Sequence, residues 1–237
     1  MRTPLSWMKM VHTKDGLRRI PISLVSMTGE VLGSEFESSL ERDLILRTAF
    51  DSGVDWFQTQ PVKIEYLDAK GKSRSYTPDL LIHFLEGSSG GRRPMLCEVK
   101  YRTDLIANRD QLLPKFRAAR AYCREQGWDF KIFDEHRIRT QRLANIQFLW
   151  RYKSSTHCST YYAQIMAEMV RMSGPTPMLP LLQRLYPYSR QRGEAIWAWW
   201  TMVVGGSIKC DLDQPLSPAT RFWVDESEKE VRWDYSC

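Results

Sequence analysis

Two carboxylates and a lysine near the middle of this sequence have the types and spacing that could carry out chemistry. Asp79 opens one apolar run, and Glu98 and Lys100 lie two positions apart in the next. In a β-strand that spacing places Glu98 and Lys100 on the same face, and a hairpin between the two runs would bring Asp79 alongside them. Carboxylate oxygens suit hard cations such as Mg²⁺, so we expect a metal site that acts on a phosphate. Lys100 would stabilise the charge that develops on that phosphate.

A helix upstream is predicted to supply a third carboxylate. Ser34 and Glu37 have the spacing of a capping box, in which each side chain bonds the other residue's exposed backbone N–H. Glu37 then has a structural task, and Glu41, one turn further on, is the better candidate for the site. Glu41 lies beside the apolar stripe of the helix, where a carboxylate is costly unless it is paired or bound to a metal. The predicted metal ligands are therefore Glu41, Asp79 and Glu98.

The surrounding pattern predicts a mixed α/β domain followed by a small, mainly helical one. Alternating or apolar runs indicate strands at 62–66, 76–85, 95–101 and 128–133, and helical stretches are predicted at 114–127 and about 140–152. Helices at about 156–172, 177–186 and 189–204, followed by short strands, have the order of a winged helix. We predict a nuclease-like domain over residues 1–153 and a winged-helix-like domain that binds DNA or a partner over residues 154–237.

Composition excludes several classes of protein. The chain has 237 residues, of which 43% are hydrophobic and 26% charged, as in soluble globular proteins. It lacks an apolar run of about 18 residues, so no membrane span is expected. The five cysteines are scattered without CxxC spacing, which argues against a zinc site and a disulfide framework. We expect a cytoplasmic protein with reduced thiols.

The net charge of +6 is unevenly distributed. Residues 1–99 are neutral, residues 100–210 carry +10, and residues 211–237 carry −4. A basic region beside a presumed phosphate-cleaving site predicts contacts with a nucleic-acid backbone, which position a duplex without reading its sequence. A solvated helix face is the alternative for any one of these side chains. The strongest candidates for DNA contacts are Arg137, Arg139 and Arg142.

The spacing of the central acids is a known nuclease pattern. Pro78-Asp79, then Glu98-Val99-Lys100, with an upstream helical glutamate, is the PD-(D/E)xK signature. More specific motifs occur in the same order along the chain: Glu37 to Asp43, Gln60-Pro61, Tyr76 to Asp79, Glu98 to Tyr101, Ile138 to Asn145, and Phe148 to Tyr152. Together they resemble TnsA, the endonuclease subunit of heteromeric transposases of the Tn7 type. Gln60 has either a role at the edge of the site or a hydrogen bond at the entry to its strand.

This resemblance implies a restriction-endonuclease-like catalytic domain that uses Mg²⁺, or Mn²⁺ in its place, to nick the 5′ ends of a transposon. Glu41, Asp79 and Glu98 would hold the metal, and Lys100 would be the catalytic lysine. The implied partners are duplex DNA at the transposon ends, a TnsB-type transposase that cuts and joins the 3′ ends, and a TnsC-type AAA+ regulator. The C-terminal part would dock onto both proteins.

Two alternative functions remain open. The first is a stand-alone nuclease of the same superfamily, resolvase-like or of the restriction type, which would act without partners. The second is a non-catalytic DNA-binding adaptor whose nuclease-like domain has decayed. A decayed domain should have lost at least one of Glu41, Asp79, Glu98 and Lys100, and all four are present.

Overall fold

A computed structural model describes residues 10–13, 16–19, 29–31, 34–68, 70–86, 91–153 and 159–224. The chain divides into two compact units, Met1–Thr140 and Gln141–Cys237. This division differs from the predicted domain boundary after residue 153, because the segment that follows Thr140 packs with the second unit. Within the described residues, the helices are too short or too polar to cross a membrane.

The first unit is built on a mixed sheet of six strands. In chain order the strands of this unit are β1 (Met10–Thr13), β2 (Gly16–Arg19), β3 (Gly29–Val31), β4 (Ser34–Phe36), β5 (Val54–Thr59), β6 (Ile64–Leu67), β7 (Ser73–Tyr76), β8 (Leu80–Phe84), β9 (Met95–Val99) and β10 (Asp129–Phe133). The six-stranded sheet has the order β10-β9-β8-β5-β1-β2. Strands β9 and β10 run parallel, as do β1 and β5, whereas β3–β4 and β6–β7 form separate antiparallel hairpins. The mixed α/β class predicted from the sequence is confirmed.

The hairpin predicted around the Gly/Ser-rich loop is formed by β8 and β9. These strands pair antiparallel, with Leu80 opposite Cys97 and Ile82 opposite Met95. Every residue of β9 is buried, as expected for an interior strand covered on both faces. The hairpin therefore fixes the start of β8 beside the end of β9.

The helices of the first unit are α1 (Ser39–Phe50), α2 (Arg102–Ala107), α3 (Arg109–Gln126) and α4 (Glu135–Ile138). The prediction that α3 begins at Pro114 is wrong, since the helix already begins at Arg109. Pro114 lacks only the N–H that would bond the carbonyl of Asp110, close to the helix start, and the helix continues through it. The end is as predicted: Gly127 adopts a left-handed conformation with φ of 72° and caps the helix.

The start of α1 also differs from the prediction. Ser38 is the N-cap, and its hydroxyl accepts the backbone N–H of Glu41. Glu41 reciprocates, accepting the Ser38 hydroxyl at 2.8 Å and the backbone N–H of Glu37 at 2.9 Å. The capping box predicted for Ser34 and Glu37 is wrong, because Ser34 belongs to β4. The same Ser-x-x-Glu spacing recurs one turn later, and the second copy begins the helix.

A hydrophobic core joins α3 to one face of the sheet. Its buried members are Ile64, Tyr76, Leu81, Leu96, Ala119 and Cys123. Burying a leucine contributes roughly 1.5–3 kcal/mol, so this cluster holds α3 firmly against β8 and β9. Because side chains two positions apart share a strand face, Asp79 and Glu98 point to the same side as Leu81 and Leu96.

The second unit contains helices followed by a small sheet. Its elements are α5 (Gln141–Leu149), a 3-10 turn (Trp150–Tyr152), α6 (Ser159–Met172), β11 (Thr176–Pro177), α7 (Met178–Leu185), α8 (Ser189–Gly205), β12 (Ile208–Cys210) and β13 (Arg221–Val224). The sheet is antiparallel with the order β11-β13-β12. The three predicted helices are confirmed, and so are short strands after them.

Contacts within this unit explain why α5 belongs to it. The Asn145 side chain donates to the carbonyls of Leu212 and Gln214 at 2.9 and 2.7 Å. Trp199 is fully buried, and its ring meets that of Phe222 edge-on at 5.2 Å. Hydrogen bonds between residues 67 and 69 positions apart are not visible in a local sequence pattern.

Candidate active site

The ends of β8 and β9 bring Asp79 next to the strand that carries Glu98 and Lys100. The backbone N–H of Asp79 donates to the carbonyl of Cys97 at 3.1 Å. The Asp79 carboxylate in turn accepts the backbone N–H of Val99 at 2.5 Å. This pair of bonds fixes Asp79 between the two strands, as the predicted hairpin requires.

Glu98 and Lys100 lie together at the end of β9. The lysine ammonium is 3.4 Å from Oε1 of Glu98 and donates to the carbonyl of Val99 at 3.0 Å. Only 3% of Glu98 is exposed, and its second oxygen, Oε2, is buried without a hydrogen-bond partner. About a third of the Lys100 side chain remains exposed, so the lysine can be reached by a ligand from solvent.

Glu41 approaches the same site from α1. It lines a small cleft together with Thr59, Asp79 and Val99, and its charge acts on Asp79, Glu98 and Lys100. The fold therefore brings all four predicted residues together. Both carboxylate oxygens of Glu41 are nevertheless engaged at the start of α1.

The electrostatics of the site show a shortage of positive charge. Burial, followed by the neighbouring Glu98 carboxylate, raises the pKa of Asp79 to about 7. Burial also raises the pKa of Glu98, against the opposing effect of Lys100. For Lys100, burial disfavours the charge, but Asp79 and Glu98 outweigh it and raise the pKa, so the lysine stays charged. Lys100 thus faces the buried carboxylate of Glu98 and the half-buried carboxylate of Asp79, with Glu41 adding a third negative charge nearby.

These residues fit a divalent cation. Mg²⁺ is commonly held by one or two carboxylates, with waters and phosphate oxygens completing its shell. Asp79 and Glu98 provide two such carboxylates on adjacent strands, and the partnerless Oε2 of Glu98 is an available oxygen ligand. Among the described residues, no set of three or more His, Cys, Asp or Glu side chains is arranged to hold a metal ion. Asp79 and Glu98 are therefore the pair that fits, and Glu41 would have to leave its capping bonds to join them.

Comparison with known families identifies this part of the chain. Residues 51–135 match a family model described as TnsA-like endonuclease N terminal. This segment is a TnsA-like endonuclease domain. The resemblance predicted from the sequence motifs is confirmed, and the matched segment contains Asp79, Glu98 and Lys100 but not Glu41. No curated protein matches the chain.

Two further residues of the TnsA-like domain lie at the site and were not predicted. The Tyr76 hydroxyl is buried without a hydrogen-bond partner, and burial, then the charges of Glu98 and Asp79, raise its pKa. The Lys115 ammonium lies 6.0 Å from the centre of the Tyr76 ring, and its charge acts on Glu98. Tyr76 belongs to the Tyr-Thr-Pro-Asp run and could have been singled out there. Lys115 lies on α3, and only the packing of that helix shows its position.

In the TnsA-like domain, Gln60 contacts Asp79 through the backbone. Its backbone N–H donates to the Asp79 carbonyl at 3.0 Å. This bond lies just after the end of β5 and not, as predicted, at the entry to a following strand. Gln60 also has a left-handed conformation with φ of 48°, which costs a residue with a Cβ about 1–2 kcal/mol. Its side chain donates to Glu37 at 3.2 Å. The strained backbone is thus held by contacts with both the Asp79 strand and the start of α1.

The three arginines predicted to contact DNA have different surroundings. Arg139 donates to Asp43 at 2.9 Å and to the Ser39 hydroxyl at 2.8 Å, so it links the end of α4 to α1. In the second unit, Arg142 makes a two-pronged pair with Asp213 at 2.9 and 2.7 Å. Arg137 is exposed, and its guanidinium lies 3.4 Å from the Ile132 carbonyl. Two of the three charges are therefore already matched by carboxylates within the protein.

Proposed function

We propose that this chain is a Mg²⁺-dependent DNA endonuclease that acts as the TnsA-type subunit of a heteromeric transposase. It would nick the 5′ ends of the transposon while a TnsB-type transposase cuts and joins the 3′ ends. The observation that carries the proposal is the pairing of two carboxylates, the half-buried Asp79 and the buried Glu98, with a charged lysine 3.4 Å from the second.

The metal would be held by Asp79 and Glu98, with Glu41 as a third ligand drawn from the start of α1. When bound, Mg²⁺ polarises a phosphate and lowers the pKa of the attacking water. The partnerless Oε2 of Glu98 and the raised pKa values of both acids support this assignment, since a divalent cation would relieve their mutual repulsion. Mn²⁺, which also prefers oxygen ligands, would substitute.

The chain's own groups have separable tasks in this reaction. Val99 orients the Asp79 carboxylate through its backbone N–H, so the acid does not need to be ordered by the substrate. Lys100, kept charged by its two acidic neighbours, would stabilise negative charge on the non-bridging oxygens of the phosphate under attack. Its partial exposure allows it to meet a phosphate that arrives from solvent.

The second unit would bind DNA or the partner proteins. Its order of helix, short strand, two helices and two strands, together with the sheet order β11-β13-β12, supports a winged-helix domain. Strand β11 pairs with the last strand, as the first short strand of a winged helix does. We propose that this unit contacts the TnsB-type transposase and the TnsC-type regulator.

The deciding experiment compares two variants in a strand-resolved cleavage assay. The substrate is a plasmid carrying the terminal segments of the DNA element that encodes the chain, with the TnsB-type protein of that element and Mg²⁺. The wild-type chain should give 5′ nicks, whereas Lys100→Ala should lose them and leave the 3′ cuts intact. Arg74→Ala, which alters a charged pair with Asp68 in the β6–β7 hairpin, serves as a matched control and should cut normally.

The same assay separates the alternatives. Nicking by the wild-type chain without any partner protein would show a stand-alone nuclease. DNA binding without cleavage under any condition, and without Mn²⁺ binding in titration calorimetry, would show a non-catalytic adaptor. Loss of both 5′ and 3′ cuts in Lys100→Ala would contradict the assignment of Lys100 to one strand only.

A further inference from the structure

Helix α3 carries a row of arginines on one side. Arg109, Arg117, Arg120 and Arg124 are all exposed, and at 100° per residue they fall within about 80° of one another around the helix. The buried residues Leu112, Phe116, Ala119 and Cys123 occupy the neighbouring side, which packs on the sheet. The row therefore flanks the packed face and runs nearly the whole length of the helix, about 22 Å at 1.5 Å per residue.

Among the described residues, the charges of these four side chains are not matched by acids, unlike those of several other arginines. Arg42, Arg74, Arg139, Arg142, Arg171 and Arg184 all form ion pairs with carboxylates. Among the described residues, no ion pair involves a member of the α3 row. Like charges three or four positions apart on a helix destabilise it by a few tenths of a kcal/mol per pair. An external anion would remove that repulsion.

The far end of the row opens into a basic cleft of about 300 Å³. Arg120 and Arg124 line it from α3, and Arg93 lines it from the segment before β9. Trp128 and Phe130 form an aromatic wall, and the Arg120 guanidinium lies 5.8 Å from the centre of the Phe130 ring. Asp129 is the one acid among the lining residues, and the described contacts include no ion pair between it and these arginines.

The row starts at the end of the sheet that carries the candidate active site. Lys100 is followed at once by α2 and then by Arg109 at the start of α3. Gly127 ends α3 and leads directly into β10, which runs parallel to β9. Helix α3 therefore runs antiparallel to β9, and Arg117, Arg120 and Arg124 follow Lys115 toward the other end of that strand, away from Glu98 and Lys100. The basic cleft lies beyond the other end of β9, about 15 Å away for five residues of strand.

We infer that the row Arg109, Arg117, Arg120 and Arg124, with Arg93 at its end, binds the backbone of the duplex whose scissile phosphate lies at Lys100. The inference rests on the proposed nuclease function. A track of about 22 Å matches roughly six base pairs at 3.4 Å each. Arginine forks suit phosphate oxygens, and the helix that carries the row passes the site, since the charge of its Lys115 acts on Glu98. A cleaved duplex requires that relation and an acidic protein partner does not.

The test measures DNA binding as a function of salt. Each phosphate contact contributes about 0.9 to the slope of log K against log salt. A triple variant, Arg117→Gln, Arg120→Gln and Arg124→Gln, should flatten that slope by about 2.7 and weaken binding at least tenfold at 100 mM NaCl. The probe is a fluorescein-labelled 30-base-pair duplex of arbitrary sequence, read by anisotropy with the full chain.

A matched control removes the same number of charges elsewhere. The variant Arg74→Gln, Arg171→Gln and Arg184→Gln has the same formal charge but loses only arginines that are paired with acids. It should keep the wild-type slope. A row variant with lysines, Arg117→Lys, Arg120→Lys and Arg124→Lys, should recover most of the binding. Equal slopes for the glutamine row variant and the control would overturn the inference.

Two further measurements separate this inference from the proposed nuclease function. The glutamine row variant should bind Mn²⁺ as the wild-type chain does, since none of its changes touches Asp79 or Glu98. If DNA binding depends on the row but the wild-type chain never nicks, the inference that the row binds DNA is supported. The proposed nuclease function is then wrong. If the glutamine row variant nicks and binds DNA like the wild type but loses binding to a polyglutamate peptide, the row is a protein-binding surface and the inference is wrong.

Discussion

The Asp79 carboxylate accepts the backbone N–H of Val99 at 2.5 Å. The first acid of the site is therefore oriented by the strand that carries the second acid, Glu98. A buried carboxylate that accepts a backbone N–H is pre-positioned, and the entropy of ordering it is lost during folding and not during binding of a ligand. The same arrangement forces two carboxylates together in a buried place. Repulsion between these carboxylates should therefore lower the free energy of unfolding of the metal-free chain.

Asp79→Asn should stabilise the metal-free chain and abolish metal binding. Burial and Glu98 disfavour the charged form of Asp79, and a neutral amide of the same shape removes that penalty while still accepting the Val99 N–H. A gain of 1 kcal/mol corresponds to about 2–4 °C for a protein of this size. Thermal melting in EDTA at pH 8, beside Mn²⁺ titration calorimetry, checks both effects.

The pH dependence of the stability of the wild-type chain follows from the same raised pKa of Asp79. Because folding raises the pKa of Asp79 to about 7 from an ordinary 3.8, the folded state binds a proton that the unfolded state does not. The metal-free melting temperature should therefore rise as the pH falls from 8 to 6, and Asp79→Asn should show less of this rise. Saturating Mg²⁺ should raise the melting temperature at pH 8 more than at pH 6. A flat profile in EDTA would contradict the assignment.

Lys100→Ala should leave metal binding intact and remove catalysis. Loss of one charge-stabilising donor at a transition state typically costs 10²–10³-fold in rate, so 5′ nicking should fall by at least about that factor. Lys100→Arg keeps the charge but alters its position and should recover only part of the rate. Initial rates on a labelled strand measure the loss. Unchanged nicking in Lys100→Ala would exclude Lys100 from the reaction.

Sequence reasoning predicted which residues of the candidate site lie together, but not all of their surroundings. Asp79, Glu98 and Lys100 are carried by a short hairpin, and strand periodicity alone places their side chains on one face. The start of α1 was missed because two Ser-x-x-Glu copies follow each other directly, and only the strand formed by Ser34 in β4 decides between them. This error arises because the start of the helix depends on strand pairing outside the local sequence pattern.

The arginines show the same limit more clearly. Arg139 finds its acid on α1, 96 residues earlier in the chain, and Arg142 finds its acid 71 residues later. A charge count cannot tell a guanidinium that is paired inside the protein from one that awaits an anion. The predicted DNA contacts at Arg139 and Arg142 were chosen by local charge, whereas the row on α3 is distinguished only once the ion pairs are known.

Tyr76→Phe should lower nicking about tenfold without destabilising the chain. The Tyr76 hydroxyl is buried, lacks a hydrogen-bond partner and lies within reach of the charge of Glu98. A buried hydroxyl without a partner costs about 1–3 kcal/mol, so its removal should leave the melting temperature unchanged or higher. A tenfold slower reaction in an equally stable protein would show that the hydroxyl works on the bound substrate. Equal rates would assign Tyr76 to packing alone.

Ser38→Ala should destabilise the chain by about 1 kcal/mol, the usual cost of losing a helix N-cap. The hydroxyl of Ser38 bonds both the backbone N–H and the carboxylate of Glu41. Ser34→Ala is the matched control and should leave the start of α1 unaffected. Chemical denaturation of the two variants measures the difference, and equal losses would restore the earlier capping box.

Arg139→Gln should destabilise the folded chain without changing the salt dependence of DNA binding. Asp43 is 3% exposed, and removing Arg139 leaves it with Arg42 as its other guanidinium partner. Because Arg139 is itself about two-fifths exposed, we expect a loss nearer 1–2 kcal/mol than the 3–5 kcal/mol of a fully buried pair.

The double variant Asp43→Asn with Arg139→Gln decides between a structural and a DNA-binding role for Arg139. Removing the buried charge together with its partner should recover part of the lost stability, because the remaining polar groups no longer include an under-compensated carboxylate. The slope of DNA affinity against salt should equal that of the wild type in both variants. A slope lower by about 0.9 in Arg139→Gln would instead identify a direct phosphate contact and reinstate Arg139 as part of the DNA-binding surface.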